Sequence, residues 1–208
     1  MKHLKELRPT QEALACEQLN ANKVYFSEKV LTDHDVKSLY NKLCMVLDIY
    51  DVEHELKEGE HHTIFKTIKP IWQNNHDGEI SENLGSLVRY IGDNKVLMTN
   101  CAEYDADIAA YLKKQLETAG YEVKELSFSS CTEPRKRHDR SWAYINFIQT
   151  SKVVIVPMQH AEEDKEALRQ IRACFPHLAV IGVNAKPFFS EKGEFVSYSH
   201  SIKEQSVS

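Results

Sequence analysis

Residues 141–183, SWAYINFIQTSKVVIVPMQHAEEDKEALRQIRACFPHLAVIGV, decide the fold. They read as two strands, a helix and a third strand, followed by a polar tail. Tyr144, Ile145, Phe147 and Ile148 make one β-prone run. Val153-Val154-Ile155-Val156 make a second, short and wholly apolar, as expected of a strand buried on both faces. Pro157 has no N–H to give to a sheet ladder, so the run is expected to stop there. From Ala161 to Cys174 the apolar positions Ala167, Leu168, Ile171 and Cys174 fall at helical spacing. Glu162, Glu163 and Asp164 lie in the first turn, where acidic groups complement the positive helix N-terminus. Phe175-Pro176 ends the helix, and Ala179 to Val183 makes the closing strand. The unit is ββαβ.

Working outward, the same order recurs twice. Asn22 to Phe26 is β-prone. A helix capped by Thr32 or Asp33 follows, with Val36, Leu39, Tyr40, Leu43 and Leu47 on one face, and then a strand over 50–56. Asn94 to Met98, a helix over 105–119 and a strand over 121–126 make the third copy. Anchored on Lys23, Lys95 and Lys152, an acidic residue lies ten positions on in each: Asp33, Asp105 and Glu162. Leu39, Tyr111 and Leu168 also coincide. A repeated supersecondary unit outweighs any single motif. Strands at 87–91 and 144–148 precede two of the copies, which makes those two ββαβ.

The 208-residue length allows one good-sized core or two small ones. A net charge of −5 gives no support for general binding to nucleic acid or anionic membranes. The apolar stretches are only a few residues long, too short to span a bilayer. Residues 1–21 read as a charged arm or helix without the apolar centre of a secretion signal. The five cysteines are scattered and never in CxxC spacing, which fits reduced thiols in a cytoplasm better than disulfides or zinc. Residues 204–208 are expected to be a disordered end.

Several chemical signals are weak. The basic knot Arg135-Lys136-Arg137 has acidic neighbours, Glu133 and Asp139, and no interleaved aromatics for stacking bases, so a solvated loop is favoured over nucleic acid. His54, His61, His62 and His76 lack ligand spacing, and no metal or cofactor is expected. No GxGxxG, GxxxxGK or GxSxG occurs.

A more specific signal is Tyr144-x-Asn146-Phe147, then Val154 to Pro157, then Phe175-Pro176 and Val180 to Val183. Together these resemble the C-terminal module of agmatine deiminases and of the related Porphyromonas-type peptidyl-arginine deiminases. The resemblance is good over 84–185 and weak over 22–76, where Ile68-Lys69-Pro70-Ile71-Trp72 is similar to the approach to the family's Trp-x-Arg-Asp motif. It implies a pentein fold, an α/β-propeller of five ββαβ modules. Modules about 22–58, 84–127 and 141–185 are recognised, within one domain over 22–203. The implied chemistry is hydrolysis of a guanidine C–N bond. Carboxylates grip the planar cation, a thiolate attacks and a histidine moves protons.

The sequence departs from that pattern at each catalytic point. After Trp72, Asn74 and Asn75 stand where the resemblance implies Arg-Asp. Before Leu87 no Gly-His-x-Asp occurs, and Glu82 is the nearest carboxylate. Tyr198 and Ser199 fall roughly where the His-Cys pair would be. The expectation is a degenerate, non-catalytic homologue that binds a guanidino small molecule or a partner, with Trp72, Asn74 and Asn146 as substrate-contacting positions. Unpaired module edges lead to an expected homo-oligomer. Two alternatives stay open. One is an active hydrolase with a rearranged site, using Cys101 or Cys131 as nucleophile with Glu82, Asp77 and His76 or His200. The other is a ribosome- or RNA-associated factor.

Overall fold

The computed structural model describes residues 19–31, 34–57, 88–100, 102, 106–128, 144–159, 162–185 and 199–202; for Lys29, Ile108 and 199–202 it describes the backbone alone. The first unit is β1 (Lys23–Ser27), a 3-10 turn, α1 (His34–Ile49) and β2 (Glu53–Lys57). The second is β3 (Val88–Gly92), β4 (Lys95–Met98), α2 (Ala106–Thr118) and β5 (Glu122–Glu125). The third is β6 (Ile148–Gln149), β7 (Val153–Met158), α3 (Asp164–Cys174) and β8 (Ala179–Asn184), after which comes β9 (Ser199–Ile202).

These strands form three three-stranded sheets, ordered β2-β1-β9, β3-β4-β5 and β6-β7-β8. In each, the central strand runs parallel to the strand after its helix and antiparallel to its other neighbour. The fold is therefore mixed α/β. The first unit differs in one respect: its antiparallel strand, β9, comes from the far end of the described chain. The polar tail expected after residue 183 thus contains a strand. Ser-His-Ser-Ile carries no apolar alternation, and only the free edge of β1 recruits it.

Local chemistry explains the boundaries. Leu39, Leu43 and Leu47 repeat every four residues and form the buried stripe of α1. The helix ends where Asp51 turns left-handed (φ 52°) and the Val52 N–H reaches back to the Leu47 carbonyl at 2.9 Å. α2 ends in the same way at Gly120 (φ 92°), with the Tyr121 N–H on the Leu116 carbonyl. Between β3 and β4, Asp93 and Asn94 both have positive φ, as a two-residue hairpin turn of the right twist requires.

Strand β7 sits in the middle of the packing. Its odd side chains, Val153 and Ile155, enter one core with Val24, Phe26 and the α1 leucines. Its even side chains, Val154 and Val156, enter a second core with Ala167 and Ile171 of α3 and with Ile91, Leu97 and Leu126 of the second unit. Strand β4 divides in the same way, with Val96 and Met98 facing Leu112 of α2 and Leu97 facing the third unit.

Three sequence expectations need correction within the quoted stretch. The run 144–148 is mostly not a strand: Tyr144 and Ile145 form a 3-10 turn, and β6 is only two residues long. Tyr144, Ile145 and Phe147 are all buried in one core, a demand that period-two alternation cannot meet. Pro157 does not stop β7. Thr150 N–H bonds the Val153 carbonyl on one side of the strand, and Ala185 N–H bonds the Met158 carbonyl on the other. By alternation Pro157 faces the β6 side, where β6 has already ended, so its missing N–H costs nothing. Helix α3 begins at Asp164, three residues later than the start at Ala161 expected from the sequence. The Asp164 carboxylate accepts from the Gln159 N–H at 3.0 Å and the Tyr144 hydroxyl at 2.7 Å, fixing the helix start. Of the expected arm at 1–21 only residues 19–21 are described, and the expected end at 204–208 lies outside the described residues.

The first and third units are also tied at the surface. Lys152 Nζ donates to the Asp51 carboxylate at 2.8 Å, just beyond the end of α1. That hydrogen bond, and then the charge of Lys152, lowers the Asp51 pKa. A carboxyl with a depressed folded pKa contributes stability above its unfolded value, near 4, and loses it as pH falls through the folded one. Asp51→Asn is therefore expected to flatten part of the acid limb of a melting-temperature profile below about pH 4. An acid limb identical to that of the unsubstituted chain would contradict the tie.

Candidate functional site

The antiparallel strands β3 and β9 each approach β6 or the segment just before it. β6 and β9 belong to different sheets yet approach one another. β3 is joined to the approach to β6 by Arg89. Its Nη2 donates to the Phe147 carbonyl at 2.9 Å, and the guanidinium lies 4.8 Å from the Phe147 ring centroid. Phe147 in turn meets Phe175 edge-on at 5.5 Å. Burial drags the Arg89 pKa from 12.5 to about 10, still well above neutrality, so the core holds a cation. Arg89 faces inward because it pairs with Leu97, whose side chain lies on the sheet face packed against the third unit.

The segment beside this cation carries two amides. Asn146 is 3% exposed and its Nδ2 has no partner among the described residues. Gln149 is 1% exposed, and neither Nε2 nor Oε1 has one. Its neighbour Thr150 is satisfied: Oγ1 donates to the Val153 carbonyl at 2.9 Å and accepts from the Val153 N–H at 3.0 Å. Thr99 and Asn100, directly after β4, are buried too, with Thr99 Oγ1 donating to Asn100 Oδ1 at 3.1 Å.

Of the residues singled out in the sequence, Asn146 lies at this inner region. Ser199 and His200 lie on β9, opposite Phe26 and Tyr25 in the register with β1. Beside that point Lys57 Nζ stands 3.3 Å above the Tyr25 ring, and Lys23 bonds Glu55 at 3.1 Å. Trp72, Asn74, Asn75, His76, Asp77, Glu82, Cys101, Cys131 and Tyr198 fall outside the described residues, as do His61, His62 and the basic knot at 135–137. His54 bonds Asp48 at 3.0 Å and ties β2 to α1. No cluster of three potential metal ligands occurs among the described residues.

The two described cysteines have the character of core residues. Burial pushes the Cys44 and Cys174 thiols up, away from the thiolate that nucleophilic attack requires. Desolvation likewise raises the hydroxyl of Tyr40, beside Cys44, to about 12. Sequence reasoning passed over Arg89 and Gln149. The available signal was a charged or amide residue inside an apolar, β-prone run, where burial forces it to find chemistry of its own.

The family model of the Porphyromonas-type peptidyl-arginine deiminase matches residues 50–202. A Lactococcus lactis protein named "Putative agmatine deiminase" is 44% identical over 54 residues, which is 26% of this chain and 15% of that one. The agmatine deiminase of Enterococcus faecalis is similar at 20% identity and a TM-score of 0.45, over 88% of this chain and 55% of its own. That of C. jejuni is similar at 19% identity and a TM-score of 0.47, over 88% and 53% respectively. The chain thus spans about half the length of these solved relatives and a smaller share of the curated one.

Arg89→Lys keeps a charge but loses the planar fork and the stacking on Phe147. It is expected to destabilise the chain by about 1–3 kcal/mol in urea denaturation, through a poorly satisfied Phe147 carbonyl. An unchanged midpoint would mean that the Arg89 bond does not hold β3 to the segment before β6.

Proposed function

Because the chain belongs to the Porphyromonas-type peptidyl-arginine deiminase family, we propose that it uses the guanidine C–N hydrolase scaffold for binding rather than catalysis. Its ligand would be a guanidino compound such as agmatine, arginine or peptidyl-arginine, or a chemical relative of one. On this reading residues 22–203 are a single, shortened pentein-like propeller in the cytoplasm, with an N-terminal arm before it and a loose end after it.

The observation that supports the reading is strand β9. It reads Ser199-His200-Ser201-Ile202, a histidine flanked by hydroxyls, in the region where the family resemblance calls for His-Cys. With Tyr198-Ser199 in that position, the nucleophile becomes a serine. A hydroxyl lacks the low pKa of a thiol and needs a dedicated base to attack so poor an electrophile as a guanidinium. Asn74 and Asn75 after Trp72, and the absence of Gly-His-x-Asp before Leu87, point the same way. The loss of three separate parts of one mechanism outweighs the loss of any single part.

One feature favours the alternative, a rearranged hydrolase: His200, on β9, is a histidine that could move protons for such a site. Incubating the full chain with agmatine, arginine or an arginyl peptide and assaying ureido product separates the two. Release no faster than in a protein-free blank is expected. Turnover abolished by Cys101→Ala or Cys131→Ala would overturn the binding reading and assign the nucleophile.

Among the described residues β2, β5 and β8 each pair on one side alone, and self-association is one way to cover such edges. A homo-oligomer is accordingly expected in light scattering at micromolar concentration, and a monomer there would refute it.

A further inference from the structure

The strands that follow the three helices, β2, β5 and β8, each pair on one side alone among the described residues, but their chemistry differs. An edge strand presents a row of backbone N–H and C=O groups, and charged side chains along it keep other chains away. β2 reads Glu53-His54-Glu55-Leu56-Lys57, and β5 reads Glu122-Val123-Lys124-Glu125. β8 is six residues long and carries no charge: Ala179-Val180-Ile181-Gly182-Val183-Asn184. Alternation fixes which of its backbone groups turn outward. The Ala185 N–H bonds the Met158 carbonyl of β7, so residues 179, 181 and 183 also direct their backbone groups to β7. Those of 180, 182 and 184 are directed away from it. The outward carbonyl of Val180 is held by Arg172 of α3, from Nε at 3.3 Å and Nη2 at 3.2 Å. Gly182 and Asn184 are exposed, and Gly182 has no side chain to shield its backbone.

We propose that β8 is the self-association edge of this chain, pairing antiparallel with β8 of a second copy about a two-fold axis at Val183. The two β6-β7-β8 sheets then join edge to edge. This deepens the self-association expected above and rests on it, while the identity of any ligand does not enter. The partner follows from charge. β2 or β5 laid on β8 would bring carboxylates and ammonium groups against a strand with no opposite charge to meet them. β8 itself brings none, and a two-fold contact uses the same patch on both copies. Arg172 selects the register. Centring the pair on Gly182 would set the Asn184 N–H of one copy on the Val180 carbonyl of the other, in competition with the guanidinium. Centring it on Val183 pairs Gly182 of each copy with Asn184 of the other and leaves Val180 to Arg172. Each of those pairs exchanges both of its N–H···O bonds, and between them Val183 meets its own copy as a pair without hydrogen bonds.

The test uses the full chain and a pair of cysteine substitutions. In the proposed register the two Val183 Cα atoms lie about 4.5 Å apart, within the range of about 4.4–6.8 Å that a disulfide spans. The two Asn184 Cα atoms lie roughly 8 Å apart, too far to bridge. Under mild oxidation Val183→Cys is expected to run as a covalent dimer on a non-reducing gel. Asn184→Cys is expected to run as the unsubstituted chain does, which controls for the native thiols. A second measurement needs no substitution and decides the matter if Val183→Cys does not fold. The outward Gly182 amide is expected to exchange its hydrogen at least about tenfold more slowly in concentrated than in dilute solution, as an amide bonded only in the dimer does. A dimer in light scattering without the Val183→Cys cross-link and without protection of Gly182 overturns β8 as the edge and leaves self-association standing. A cross-link through Asn184→Cys in place of Val183→Cys overturns the register and with it the proposal. A monomer overturns both the edge and the self-association. Turnover or binding of a guanidino compound bears on the proposed function alone.

Discussion

Strand β7 has no face that meets water, and the described packing depends on that. Four apolar residues in a row, alternating in direction, send Val153 and Ile155 toward the first unit and Val154 and Val156 toward α3 and the second. Each such side chain contributes about 1.5–3 kcal/mol on burial, and β7 divides that contribution between two cores. Either flanking unit alone would leave half of the strand exposed. The third unit is thus the layer through which the other two are held in one structure.

Around that layer the polar residues follow the antiparallel strands. Arg89 is carried into the interior on β3 because its position pairs with inward-facing Leu97, and there it meets the Phe147 carbonyl. Ile148 pairs with Ile155, so by alternation the Phe147 carbonyl points away from β7 and is open to a donor from β3. A buried cation here favours neutral or electron-rich neighbours, which bears directly on the chemistry available at Asn146 and Gln149.

The family architecture and the family reaction have separable requirements. The ββαβ units need apolar alternation, helix stripes and turn residues, and all of these are kept. The reaction needs a few side chains at strand ends and loops, and under the proposed function the chain carries amide, serine and tyrosine there. Function resides in such sites rather than in the scaffold, so a chain can keep its family membership while its chemistry changes.

What the sequence determined by itself were the features governed by local periodicity. The runs at 24–26, 96–98 and 153–156, the leucine stripe of α1 and the Phe175-Pro176 stop each state their own structure through neighbours a few residues away. The repeat and the family resemblance followed from them. Only the tertiary structure decided the rest. The Ser-His-Ser-Ile of β9 is a strand because β1, some 175 residues earlier, offers an open edge. Tyr144 to Phe147 is not a strand because one core claims three nearby side chains. Pro157 is tolerated because its neighbour has already turned away. Arg89 and Gln149 are buried because of what packs across from them. These are contacts between distant parts of the chain, and no short stretch of residues encodes the partner it will meet.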